Sequence, residues 1–157
     1  AGSGTVPALI SEGNYAPDTS EIQVRRSGLE EREAYLDLFQ QAFDHREERA
    51  LEYRAFQWAE DDLPGGVRYI AEIDGKPVGM ASFPILNGVG FLGTAGVLPE
   101  YRCRGVQRAL IRQRLADTTA LRCDLVLAGD SPGSTTYRNF ERAGFRLIPT
   151  GTMWAER

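Results

Sequence analysis

Arg102, Arg104 and Arg108 surround Gly105 in the stretch Val97-Leu98-Pro99-Glu100-Tyr101-Arg102-Cys103-Arg104-Gly105-Val106-Gln107-Arg108-Ala109-Leu110. Guanidinium groups bind oxyanions through charge-assisted hydrogen bonds worth about 1.5–3 kcal/mol each. A glycine among them lets backbone N–H groups approach a ligand, because no Cβ intervenes. Two elements must position these groups. The apolar, glycine-punctuated run Val89 to Val97 reads as a buried strand that Pro99 stops. Directly after Gly105 a helical pattern runs from Val106 to about Leu121, so the orphan amides and the positive dipole end of a helix face the same spot. The guest this suits is a phosphate or pyrophosphate; the same residues also read as a solvated basic turn. The turn is neither a Walker loop, which ends in Gly-Lys-Ser/Thr, nor a dinucleotide turn with its own glycine spacing.

The chain has 157 residues, of which 42% are apolar, enough for one domain with a real core. A net charge of −4 argues against nucleic acid or an anionic membrane as the main partner, although a basic patch is compatible with it. No apolar run approaches the roughly 18 residues of a membrane helix, and no signal-peptide core is visible. Cys103 and Cys123 are the only cysteines, and a reduced, cytoplasmic setting is expected. The single His45 has no cysteines near it, so no metal site is expected.

Residues 1–21 begin with Ala1-Gly2-Ser3-Gly4, which looks like a tag remnant, and continue rich in Gly, Pro, Ser and Asn with one apolar patch at Val6 to Ile10. They read as a linker or loosely docked arm, with the folded domain over 22–157. Within it, Ile22 to Arg25 alternates as a strand, and Glu30 to Phe43 and Glu47 to Glu60 are amphipathic helices followed by an acidic loop. Strands at Arg68 to Ile73 and Pro77 to Pro84 flank a tight turn at Asp74-Gly75, and Asn87-Gly88 repeats that signal before Val89. Cys123 to Ala128 is an apolar strand reached through a helix, which implies a right-handed parallel crossover. Gly133 to Ala143 is a last helix with Gly144 as its C-terminal cap, and Phe145 to Ile148 and Thr150 to Glu156 look like closing strands.

Two stretches resemble the GNAT N-acetyltransferase superfamily. Val97, Pro99, Arg102 and Gly105 match its acyl-CoA motif, Val-x-Pro-x-x-(Arg/Gln)-x-x-Gly-x-(Gly/Ala), in register, whereas Gln107 stands where the family has Gly or Ala. Asp130 to Phe145, ending Asn139-Phe140-Glu141-Arg142-Ala143-Gly144-Phe145, is similar to the family's second recognisable stretch. The resemblance covers about Ile22 to Trp154. It implies an α/β fold with a mixed, mostly antiparallel central sheet, a splayed parallel strand pair and helices on both faces.

The resemblance further implies an acetyl-CoA cosubstrate held by Ala95, Val97, Leu98, Arg102, Cys103, Arg104, Gly105, Val106, Gln107, Arg108, Ala109 and Asn139. An amine acceptor, of a small molecule or a peptide, would attack the thioester directly. The Val97 N–H would then bind the oxyanion. The family's general acid is often a tyrosine in the last helix, where this chain has Phe140; Tyr137, one turn earlier, is the substitute, or else simply a packed residue. No acid lies between Val89 and Val97, which leaves Glu72, or Glu60, Asp61 and Asp62 in the acidic loop, as base. Tyr53, Phe56 and Trp58 precede that loop and suit either a core stripe or the wall of a cationic-amine site. A reading from another class is a catalytically silent acyl-CoA-binding module, one half of a tandem protein; monomer and homodimer are both compatible with these residues.

Overall fold

The computed structural model describes residues 8–11, 21–43 and 65–148. Its elements in chain order are β1 (Ala8–Ser11), β2 (Gln23–Ser27), α1 (Arg32–Phe43), β3 (Val67–Ile73), β4 (Lys76–Phe83), β5 (Ile85–Leu86), β6 (Val89–Leu92), β7 (Ala95–Val97), α2 (Val106–Ala116), β8 (Leu125–Gly129), α3 (Thr135–Arg142) and β9 (Arg146–Ile148). The expected helix over 47–60, the acidic loop with Glu60, Asp61 and Asp62, and the strand over 150–156 lie outside the described residues, as do Tyr53, Phe56 and Trp58.

The strands form a four-stranded sheet, β2-β3-β4-β7, and a five-stranded sheet, β5-β6-β8-β1-β9. All pairings are antiparallel except β6 with β8, the expected parallel crossover. Both tight turns form where the sequence places them. Asp74 and Gly75 (φ 52° and 73°), and Asn87 and Gly88 (φ 51° and 78°), adopt the left-handed pair that matches strand twist in a two-residue hairpin.

Two expectations change. The run Val89 to Val97 is not one strand: it breaks at Gly93 and Thr94, so that β6 joins one sheet and β7 the other. The N-terminal segment is also more than a loose arm, because Ala8–Ser11 is a strand paired on one side with β8 and on the other with β9.

Helices cover both faces. Tyr35, Leu36, Leu38 and Phe39 of α1 pack on Ile70, Met80 and Leu98. Each such side chain, fully buried, contributes about 1.5–3 kcal/mol. Gly96 makes this contact possible: a Cβ there would lie 2.7 Å from Ala42 Cβ and 2.9 Å from Phe43 Cε2. On the other face Val106, Leu110, Ile111 and Leu115 of α2 join Phe140, Phe145, Val126 and Phe83 in the main core. Asp117 ties α2 to the sheet by accepting from Tyr69 Oη (3.0 Å) and Arg26 Nε (2.9 Å).

The edge strand β2 is fixed to the turn before α1 by a two-pronged ion pair. Arg25 Nη1 and Nη2 each donate to Glu31 at 2.7 Å. That hydrogen bond from Arg25 holds the Glu31 carboxyl well below its ordinary range, at about 2. A depressed folded-state pKa gives stability that is present above the ordinary carboxylate range and is lost as pH falls from about 4.5 toward about 2. Glu31→Gln should therefore lower the denaturant midpoint near neutrality and flatten its fall between those pH values, so that the variant and the unaltered chain converge near about pH 2. An unaltered acid limb would show that the pair adds nothing to stability.

Candidate active site

The break between β6 and β7 creates the site. β6 stays hydrogen-bonded to β8 as far as Leu92 and Ala128, whereas β7 pairs with β4 alone and forms the edge of its sheet. The two strands that follow one another in sequence thus part, and a crevice opens at the carboxyl end of a parallel pair, where α/β sheets take ligands.

The register then decides which groups face that crevice. Leu98 N–H donates to Val78 O (2.9 Å), and Ser82 N–H donates to Thr94 O (2.8 Å). Hydrogen-bonded and non-bonded pairs alternate along an antiparallel ladder. The pairs Gly79–Val97 and Ala81–Ala95 are therefore the non-bonded ones, and Ala95 and Val97 turn their N–H and C=O groups away from β4, to the free edge. An extended amide chain can add there as a further strand.

At the end of that edge the chain makes the basic turn. Cys103 and Gly105 are both left-handed (φ 60° and 89°), and α2 begins at Val106. No side chain caps the helix, and its first internal bond is Ala109 N–H to Gly105 O (3.0 Å). The amides of Val106, Gln107 and Arg108 precede that bond, so they and the dipole point outward. Gly105 is needed for its dihedral rather than for close approach. A Cβ there would meet Ile22 Cδ1 at 3.7 Å, an ordinary contact, but in a backbone region that L-residues rarely adopt.

The expected cosubstrate residues divide by role. Arg104 and Arg108 are exposed, Arg104 stacking 5.3 Å from the Tyr101 ring. Arg102, exposed like them, lies back on the protein: Nη2 donates to Ala42 O (2.7 Å) and Nε to Val97 O (3.3 Å), so it ties β7 to α1. The side chains of Leu98, Val106 and Ala109 are buried in the core, and Ala109 has also given its N–H to the helix. Cys103 is an exposed free thiol. Gln107, the departure from the family motif, spans the gap to α3: its Nε2 donates to Thr136 Oγ1 (3.0 Å), and its Oε1 accepts from Asn139 Nδ2 (2.7 Å).

Helix α3 is set firmly at both ends. Ser134 Oγ accepts from Tyr137 N–H (2.9 Å), and is itself held by Asp130 Oδ2 (2.9 Å). At the other end Phe145 N–H reaches Phe140 O (3.1 Å) and Gly144 N–H reaches Glu141 O (3.0 Å), with Gly144 at φ 89°. This is a Schellman motif, and its hydrophobic contact is the Phe140–Phe145 ring pair at 5.5 Å. Phe140 thus faces the core, 3% exposed, while Tyr137 lies half-buried one turn away.

Glu72 is not brought to this edge. It lies on β3, two strands from β7, and accepts from Arg25 Nε at 2.9 Å. One residue that the sequence did not single out is Arg114, the one buried charged side chain among the described residues. Its helical position, four residues after Leu110, offered no distinguishing signal among the other polar residues of α2. Among the described residues no three or more His, Cys, Asp or Glu side chains group as a metal site, and no helix is long and apolar enough to cross a membrane.

The fold has clear relatives among solved structures. A GCN5-related N-acetyltransferase from Kribbella flavida superposes with a TM-score of 0.67 at 20% identity, over 95% of this chain and 56% of that one. Another from Sphaerobacter thermophilus gives 0.69 at 18% identity, over 94% and 50%. The chain thus spans little more than half the length of these two. AAC(6')-Iy, in complex with the bisubstrate analogue CoA-S-monomethyl-acetylneamine, gives 0.66 at 25% identity, over 88% of this chain and 99% of that one. No curated protein matches the sequence. The model of the acetyltransferase (GNAT) family matches residues 32–145, most of the chain and the whole of the crevice just described, and the chain belongs to that family.

Proposed function

We propose that this chain transfers an acetyl group from acetyl-CoA to an amine of a small molecule or a peptide. The observation that carries the reading is the free edge of β7, with Ala95 and Val97 amides turned outward, running into the uncapped N-terminus of α2. The pantetheine arm would pair with that edge, and the pyrophosphate would lie on the amides of Val106 to Arg108 between Arg104 and Arg108. The amine nitrogen attacks the thioester carbon, and the Val97 N–H stabilises the oxyanion of the tetrahedral intermediate. As the C–S bond breaks, the Tyr137 hydroxyl gives its proton to the leaving thiolate, while a base takes the proton that the attacking nitrogen must lose once it has added. For Glu72 to be that base, the proton would have to reach it through solvent, because its carboxylate is on Arg25 two strands away. A complex of a relative with a CoA–aminoglycoside analogue supports both the cosubstrate and the amine class.

A second reading, a silent acyl-CoA-binding module of a longer protein, is favoured by Phe140 in the core where the family often has tyrosine, and by relatives about twice as long. Calorimetric titration tests what the two readings share. Acetyl-CoA should bind with one site per chain and acetyl-pantetheine, which lacks the pyrophosphate, more weakly. No binding of acetyl-CoA or of longer acyl-CoAs would leave the fold standing and remove the function.

A further inference from the structure

The guanidinium of Arg114 lies under the place where the chain crosses from one sheet to the other. It is 1% exposed, and among the described residues no carboxylate pairs with it. Its charge is met by carbonyls instead. Nε donates to Leu110 O (3.1 Å) one helical turn back, and Nη1 to both Ser82 O (3.0 Å) and Gly93 O (3.5 Å). Ser82 belongs to β4, and Gly93 is the first residue of the break. The chain is closely packed at this point: a Cβ on Gly93 would fall 2.5 Å from Ser82 Oγ and 3.2 Å from Pro84 Cδ.

The ladder of β4 holds the crossing as far as Ser82 N–H on Thr94 O (2.8 Å), and one residue before it the Gly93 N–H turns back onto Phe91 O (2.8 Å), so the Arg114 fork meets the chain where it leaves one sheet for the other. We infer that Arg114 is a positioning residue for the acyl-CoA crevice, its fork holding Ser82 of one sheet and Gly93 of the crossing so that β7 stays parted from β8 with the Ala95 and Val97 amides facing outward. Burial draws its pKa down to about 10, which leaves it charged at neutral pH. A neutral side chain of similar length fills the space but supplies no donors, and an ammonium on a shorter stem cannot reach all three carbonyls.

This inference rests on the acyl-CoA reading, and the experiment separates the two. Arg114→Lys and Arg114→Met are compared with the unaltered chain for thermal unfolding, for acetyl-CoA affinity, and for amide hydrogen exchange over residues 91–97. The expected result is faster exchange at 91–97 than elsewhere in both variants, with acetyl-CoA affinity lowered about 10-fold in Arg114→Lys and about 100-fold in Arg114→Met. A residue that merely stabilises the fold would lower the melting temperature and leave the affinity of the folded protein unchanged. Affinity within twofold of the unaltered chain in either folded variant overturns the inference; if Arg114→Met does not fold, Arg114→Lys decides. Should the unaltered chain itself bind no acetyl-CoA, the functional reading fails, and the exchange pattern alone judges Arg114: unchanged exchange at 91–97 refutes its role at the break.

Discussion

Tyr137→Phe should lower the maximal rate of thiol release by about 10²- to 10⁴-fold, the range that a positioned general acid supplies, and leave acetyl-CoA affinity nearly unchanged. The substitution keeps the ring that packs beside the core and removes only the hydroxyl. Helix α3 is fixed by the Ser134 cap and the Schellman turn at Gly144, neither of which involves the phenol, so no rearrangement is expected to hide the result. The neighbouring aromatic cannot substitute for it, since Phe140 carries no proton to give and is turned into the core. The measurement is steady-state release of free CoA at saturating acetyl-CoA with an accepted amine. An unchanged rate would mean that the thiolate leaves without help from Tyr137, and would remove it from the site.

The second large effect concerns binding. Arg104→Glu together with Arg108→Glu should weaken acetyl-CoA by at least about 100-fold, because two charge-assisted hydrogen bonds at about 1.5–3 kcal/mol each are lost and repulsion is added. Both side chains are exposed, and neither forms an ion pair among the described residues, so folding is expected to survive. The loss should shrink as ionic strength rises, since exposed charges are screened. Arg102→Glu makes an instructive contrast. Its guanidinium holds Ala42 O and Val97 O, so this change should lower the melting temperature through the contact of β7 with α1. Equal affinity in the double variant and the unaltered chain would show that the turn is a solvated basic surface and no phosphate site.

Local chemistry made much of this molecule legible in its sequence. The Asp-Gly and Asn-Gly hairpins, the Gly144 cap and the basic turn at a helix start all depend on residues close together in the chain, and all form as expected. What escaped depends on distant partners. The apolar run from Val89 to Val97 has no proline inside it, and alternation along a strand cannot reveal that its two halves join different sheets; Gly93, where it breaks, is one of three glycines in the run with Gly90 and Gly96. The strand Ala8–Ser11 owes its place to a slot between β8 and β9, more than a hundred residues away in sequence, and an isolated apolar patch does not name its partners. Two arginines show the same limit. Arg102 reads as part of an anion site or a solvated turn and Arg114 carries no signal on its helix, yet each donates to a backbone carbonyl of an element distant in the chain. Gln107 was visible as a departure from the family motif, but its bridge to Thr136 and Asn139 exists only because α2 and α3 lie side by side.

Continuous measurement of free thiol on mixing the protein with acetyl-CoA and a panel of amines, including an aminoglycoside, a polyamine and a peptide with a free N-terminus, tests the central claim most directly. The account predicts thiol release that requires both acetyl-CoA and one class of amine, with acetylated amine formed in equal amount. Tight binding of acetyl-CoA with no thiol released for any amine would contradict catalysis and leave the crevice as a binding module alone.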